Sequence, residues 1–249
     1  MSGHSKWAQI KRQKGANDAK RGQMFTKLGR EIMVAARQGG GDPEANFRLR
    51  LAIQKARESN MPMENIERAI KRATGTSDSA ALEEVIYEGY GPGGAAVMVE
   101  AMTDNRNRTV SEIRNVFTRN GGSLGETGCV AWLFEPRGVI TIAADGQDPD
   151  ELALMAIDAG AEDVRTDGNT VEVYTDPSQL EAVRDALRER KINVVSAESS
   201  MIPKTSLELD ENEALRNLKL MDKLEELDDV QAVHTNVDFP EEILEKYAG

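Results

Sequence analysis

A chain of 249 residues, 39% hydrophobic and 30% charged, is long enough for two or three compact units and too apolar to be disordered through most of its length. No apolar run approaches the roughly 20 residues of a membrane helix, and the opening MSGHSKWAQIKRQKG lacks the apolar core of a secretory signal, so a cytoplasmic protein without membrane contact is expected. The lone cysteine, Cys129, excludes an internal disulfide, and a net charge of −12 argues against a nucleic-acid partner until its distribution is considered.

That distribution is bipolar. Residues 1–76 carry 16 Lys and Arg against 7 Asp and Glu, a net of +9, while the remainder carries 15 against 36, a net of −21. Such a dipole turns its basic end toward a polyphosphate and holds the acidic body away. Within the basic segment Met24, Phe25, Leu28, Ile32, Ala35 and Ala36 recur at helical spacing until Gly39, Gly40 and Gly41 stop the helix. A second helix is predicted over 44–58, with Phe47 and Leu51 on one side and Leu49, Ile53 and Ala56 on the other. Its charges are confined to two edges, Arg48 with Lys55 and Arg50 with Arg57, so it should pack on both faces. A third helix, after Met61-Pro62, sets Ile66, Ala69, Ile70 and Ala73 opposite Arg68, Lys71 and Arg72.

After the polar stretch 74–80 the pattern becomes strand-like over 83–87 and 95–102, separated by a Gly-rich turn. Thr109 and Glu112 form a capping-box pattern ahead of a helix that Gly121-Gly122 end, and 130–134 reads as a strand. From Gly138 the predicted order is strand 139–143, helix 149–159, strands 163–166 and 170–174, helix 178–190 and strand 193–197. That is the split βαββαβ order of ferredoxin-like folds. A helix over 211–227 and a strand over 230–239 follow. The fold class expected is therefore α+β multidomain. A helical domain spans 1–76, an α/β domain spans 77–135 plus 205–249, and a ferredoxin-like domain of 136–204 is inserted within it.

MSGHSKWAQIKRQKG, the run from KRGQMFTKLGREIMVAARQGGG through MPMENIERAIKRATG, YEGYGPGGAAVMVEAMTDNRNRT, NGGSLGETGCVAWLFEPRGVI and ELDENEALRNLKLMDKLEELDDVQAVHTN closely resemble the YebC/PmpR family of bacterial regulators. The resemblance covers nearly the whole chain and is weakest in the insert. It implies a helical first domain, two α/β domains and a role without catalysis. Members of that family are described as DNA-binding transcriptional regulators, while related mitochondrial activators act on translation at the ribosome.

A polyanion site needs several cations that reach phosphates together. Lys6, Lys11, Arg12, Lys14, Lys20 and Arg21 precede or open the first helix, with Trp7 among them as the one large aromatic; Trp7 stacks on a base or packs on the bundle. Lys27 and Arg30 on the first helix and Arg68, Lys71 and Arg72 on the third extend the set. Arg106 and Arg108 adjoin a predicted helix N-terminus, where free N–H groups also attract phosphate, although pairing with Asp104 and Glu112 explains them as well. If both groups bind, the nucleic acid crosses from the first domain to the second.

Other chemistry is poorly supported. Ser123 satisfies G-x-S-x-G, with an Asp and His234 after it, but the loop 120–128 leaves a helix and enters a strand, the reverse of a nucleophile elbow. No Lys-Ser or Lys-Thr follows the glycines, so it is no phosphate-binding P-loop. The loop reads as a connector needing positive φ in preference to one that inserts into an RNA or ribosomal partner. His4, His234 and Cys129 stand apart, and Asp145, Asp148 and Asp150 lack the glycine and terminal glutamate of a calcium loop, so no metal or other cofactor is expected. With one strand aromatic, Tyr174, and seven basic against fourteen acidic residues over 136–204, the insert is not a base-stacking sheet; a small-molecule sensor or protein-docking module suits it better. The leading expectation is a DNA-binding transcriptional regulator. The alternative is a translation factor on ribosomal RNA, and an enzyme or small-molecule protein built on the body comes third.

Overall fold

The computed structural model describes residues 18–75 and 82–248, so Lys6, Trp7, Lys11, Arg12 and Lys14 lie outside the described residues, as does the boundary expected at 76/77. A helical region is followed by a mixed α/β region with two antiparallel sheets. The helical region comprises α1 (Asp18–Gly39), α2 (Phe47–Glu58) and α3 (Met63–Thr74). Leu28, Ile32, Ala35 and Ala36 of α1 meet Leu49, Ala52, Ile53 and Ala56 of α2 and Ile66 and Ala69 of α3 in one buried cluster. Met24, counted in the apolar row, is instead 38% exposed. Helix α2 begins three residues later than its periodicity suggests. Asn46 caps it, accepting from the Leu49 N–H at 3.1 Å, and its amide donates to the carbonyls of Ala35 and Gly40, fastening the end of α1 to the start of α2.

Strands β1 (Glu83–Tyr90) and β2 (Ala96–Thr103), helix α4 (Arg106–Arg119) and the short β3 (Ser123–Leu124) come next. The chain then builds β4 (Phe134–Ala143), α5 (Pro149–Asp158), β5 (Asp163–Asp167), β6 (Thr170–Thr175), α6 (Leu180–Glu189) and β7 (Val194–Pro203), and closes with α7 (Glu211–Glu225), β8 (Val230–Thr235) and α8 (Glu241–Ala248). One sheet has the order β3-β1-β2-β8 and the other β5-β6-β4-β7, with every pairing antiparallel. The first sheet draws β8 from beyond the whole β4–β7 segment. Helices α4 and α7 cover one of its faces, burying Ile113, Phe117, Leu218 and Met221 against Val97, Val99 and Val233. In the second sheet Ile140, Ile142, Val171 and Val173 pack on Leu152, Ala156, Val183 and Leu187 of α5 and α6.

Several local expectations are corrected. Helix α4 is capped by Asn105, not by Thr109, whose hydroxyl is buried and directed to Asp229. Residues 131–133 form a 3-10 turn instead of a strand, because the Glu88 carboxylate takes the N–H groups of Val130 and Ala131 that a ladder would need. Strand β4 runs unbroken through Gly138, where a Cβ would strike the Thr175 hydroxyl and Leu180; this glycine marks close approach, not a break. Alternation over 230–239 ends at Thr235, and the short helix α8 beyond Pro240 escaped the sequence reading.

Helix α2 does pack on both sides. Leu51 joins the core of the second sheet, and Arg50 grips Glu181 of α6 with two bonds of 2.9 and 3.0 Å, while Arg48 pairs with Glu84 at the start of β1. These pairs hold both carboxyls below the usual range: the Arg48 hydrogen bond for Glu84, the Arg50 hydrogen bond for Glu181.

Candidate nucleic-acid interface

Helix α3 turns Ile66 and Ala69 inward, which leaves Arg68, Lys71 and Arg72, at i, i+3 and i+4, exposed on one outward strip. None of the three makes an ion pair among the described residues. Between α3 and α1 runs a groove of about 440 Å³ whose lining combines the apolar Phe25, Met33, Val34 and Ala73 with Arg30, Arg37 and Arg72. A shallower recess of about 250 Å³ continues it to Asn65 and Arg68. The groove reaches Leu82 and Asp104, so it crosses from the helices onto the α/β region. Cations beside apolar side chains can hold phosphates while a base or sugar contacts the apolar groups. Arg37 was missed in the sequence, although it stands seven residues, two turns, after Arg30 and so on the same face.

The other cations are placed differently. Lys20 lies in the first turn of α1, and Arg21 is exposed one residue further on. Lys27 donates to the Glu225 carbonyl and Gln23 to the Glu226 carbonyl, so α1 caps the C-terminal end of α7. Arg30 bonds Asp229 and donates to the carbonyls of Met102, at 3.1 Å, and Asp228, at 2.9 Å. Arg106 pairs with Glu83, and Arg108 bridges Asp104 at 2.9 Å and Asp229 at 2.8 Å. The pairing weighed for Arg106 and Arg108 thus occurs, with Glu83, Asp104 and Asp229 as partners and not Glu112.

Asp229 is the centre of this seam. It is 3% exposed and accepts from Arg30, Arg108, Thr103 and Thr109, which places the first helix, α4 and the turn before β8 on one carboxylate. Burial alone would push the Asp229 carboxyl up, but the bonds from Arg108, Thr109 and Arg30 outweigh it and bring its pKa down to about 2. Nothing in the sequence marks this residue, since Asp228-Asp229 reads as a solvated turn.

The loop 120–128 is tied at several points. β3 pairs with β1, and Glu88, 3% exposed, accepts the N–H groups of Gly128, Val130 and Ala131 at 2.7, 2.8 and 2.7 Å. Burial would raise the Glu88 carboxyl, yet these donors hold it below the usual range. Gly121 and Gly128 take positive φ values of 78 and 90°, as a connector requires. Ser123 and His234 stand on opposite edges of the sheet, three strand spacings or roughly 14 Å apart, so they form no nucleophile–base pair. His234 is buried on β8 and contacts Glu100 at 3.1 Å. No cluster of His, Cys, Asp or Glu among the described residues could hold a metal, and no described helix is long and apolar enough to cross a membrane.

Comparison with known proteins agrees along the chain. Residues 5–76 match the TACO1/YebC protein N-terminal domain and residues 82–237 the TACO1/YebC second and third domain. A probable transcriptional regulatory protein of Dehalococcoides mccartyi strain CBDB1 is 58% identical over 247 residues, 99% of this chain and 98% of its own length. Another so named, from Chloroflexus aurantiacus, is 58% identical over 250 residues, 99% of each chain. The crystal structure of a conserved hypothetical protein from Aquifex aeolicus superposes with a TM-score of 0.84 at 50% identity, covering 91% of this chain and 94% of that one. With both domain models matched in order and relatives above half identity over their full length, this chain belongs to the TACO1/YebC family.

Proposed function

We propose that this protein is a non-enzymatic regulator of gene expression that binds nucleic acid through the outward strip of α3 and the groove beside it. The carrying observation is that Arg68, Lys71 and Arg72 share one exposed strip and make no ion pair among the described residues, in a molecule whose body is strongly acidic. The relatives' name, probable transcriptional regulatory protein, supports regulation of transcription and hence DNA as the target. A second reading, structured RNA such as that of the ribosome, is favoured by the groove: its apolar lining residues suit an unstacked base, which duplex DNA does not offer. On either reading Lys6, Trp7, Lys11, Arg12, Lys14, Lys20 and Arg21 contribute further contacts from the chain preceding and opening α1. Arg37 and Arg72 then border the path, while Lys27, Arg30, Arg106 and Arg108 chiefly hold the frame.

The proposal includes the three-part division drawn from the sequence. The strand order β5-β6-β4-β7, with a helix after β4 and another after β6, supports a ferredoxin-like insert over 136–204. The test is an anisotropy titration of the full chain with duplex DNA and with a hairpin RNA at several salt concentrations. Arg68→Ala/Lys71→Ala/Arg72→Ala should weaken binding about tenfold or more and reduce the salt slope by roughly two to three, with unfolding unchanged. An unaltered slope would remove α3 from the interface. Tighter, slope-sensitive binding to the hairpin than to the duplex would decide for RNA.

A further inference from the structure

Helix α5 is apolar on two sides. Leu152 and Ala156 are buried against the second sheet, yet Leu154, Met155 and Ile157 on the outward side are 67, 40 and 48% exposed. A helix apolar all round is normally enclosed by protein, and large exposed apolar side chains grouped on one element mark an interaction surface. The outward residues form two rows at helical spacing, Asp150-Leu154-Ile157 and Glu151-Met155-Asp158, so an apolar centre is bounded by carboxylates at both ends. Asp150, Glu151 and Asp158 make no ion pair among the described residues, and no Lys or Arg occurs between Arg137 and Arg165. Arg190 donates at 2.9 Å to the Met155 carbonyl of this helix. The helix is held firmly beneath the patch, since Asp148 caps it through the Asp150 N–H and Pro149 opens it.

We propose that the outward face of α5 docks a basic amphipathic segment of a partner protein, whose apolar residues cover Leu154, Met155 and Ile157 while its Lys or Arg residues meet Asp150, Glu151 and Asp158. Charge selects this occupant: a nucleic acid or an anionic lipid surface would be repelled by the same carboxylates that attract a basic helix. The surface is remote in sequence from α3, and its occupation does not depend on the nucleic-acid reading. It would give the regulator a protein contact on its acidic insert while the helical end is engaged elsewhere.

The probe is a synthetic amphipathic peptide of Leu and Lys at helical spacing, with its Leu/Glu counterpart as control, titrated into the full chain and followed by methyl NMR. The Leu/Lys peptide should shift the methyls of Leu154, Met155 and Ile157 and leave those of the α1–α3 core in place. Leu154→Ser/Ile157→Ser should weaken it at least tenfold, and since both residues are exposed the variant should unfold at the wild-type temperature. Asp150→Lys/Glu151→Lys, which keeps the apolar centre, should transfer preference to the Leu/Glu peptide. Equal binding of both peptides, binding indifferent to the Ser pair, or no binding at millimolar peptide would overturn the proposal. Self-association of the wild type that the Ser pair abolishes would also overturn it, by assigning the face to a second copy.

Discussion

The outer strip of α3 and the seam around Asp229 are both rich in arginine and serve opposite ends. On α3, Arg68, Lys71 and Arg72 project from a helix whose other side is packed, and they make no ion pair among the described residues. At the seam, Lys27, Arg30 and Arg108 spend their donors on the end of α7, on backbone carbonyls and on one buried aspartate. The difference is one of local enclosure: a cation whose partner comes from a distant part of the fold is part of the frame, and one left exposed without such a partner is available for a polyanion.

The comparison can be broken most directly at Asp229. Asp229→Ala leaves Arg30 and Arg108, together with the hydroxyls of Thr103 and Thr109, without their shared acceptor, and should cost about 3 kcal/mol in urea denaturation. If the loss stays within half a kcal/mol, the seam is decoration and its arginines rejoin the candidates for phosphate contact.

Acid sharpens the same contrast with a smaller effect. The folded pKa of Asp229 is about 2 against an ordinary value of 3.8, so its contribution is present above about pH 4 and disappears as the pH falls toward 2. The span corresponds to about 2 kcal/mol. Glu84 and Glu181, also held low by arginines of α2, add to the loss in the same direction. Denaturation midpoints measured from pH 5 down to pH 2 should fall in the wild type and much less in the Asp229→Ala variant. Lys27→Met is the mildest probe. It removes the cap on α7 and should lower stability by less than about 1 kcal/mol while leaving nucleic-acid affinity and its salt slope unchanged. A fall in the slope would return Lys27 to the interface.

The parts legible in the sequence are those whose cause is local. The α3 strip follows from the 3.6-residue repeat alone, and the two-sided packing of α2 from the placement of Leu49, Leu51 and Ile53. What could not be read depends on partners far along the chain. Arg30 meets a carboxylate 199 residues away, and nothing near Lys27 indicates that it will close a helix nearly 200 residues later. The strand expected at 130–134, of which only Phe134 is extended, as the start of β4, fails for the same reason, because the acceptor that claims the N–H groups of Val130 and Ala131 sits on β1. Helix α8 was hidden for another reason: Val237 and Phe239 continue the alternation of β8, and only Pro240 separates that rhythm from the helix.

Glu88 has a consequence for how this protein can vary. The path of residues 125–131 is written mostly outside the loop, in one carboxylate of β1 that collects three of its N–H groups, while Glu126 and Thr127 point into solvent. Exchange of residues 126 and 127 should therefore be nearly silent for the shape of the loop. A single change at residue 88 would redraw it, so the tolerance lies in the loop and the constraint in the strand that anchors it.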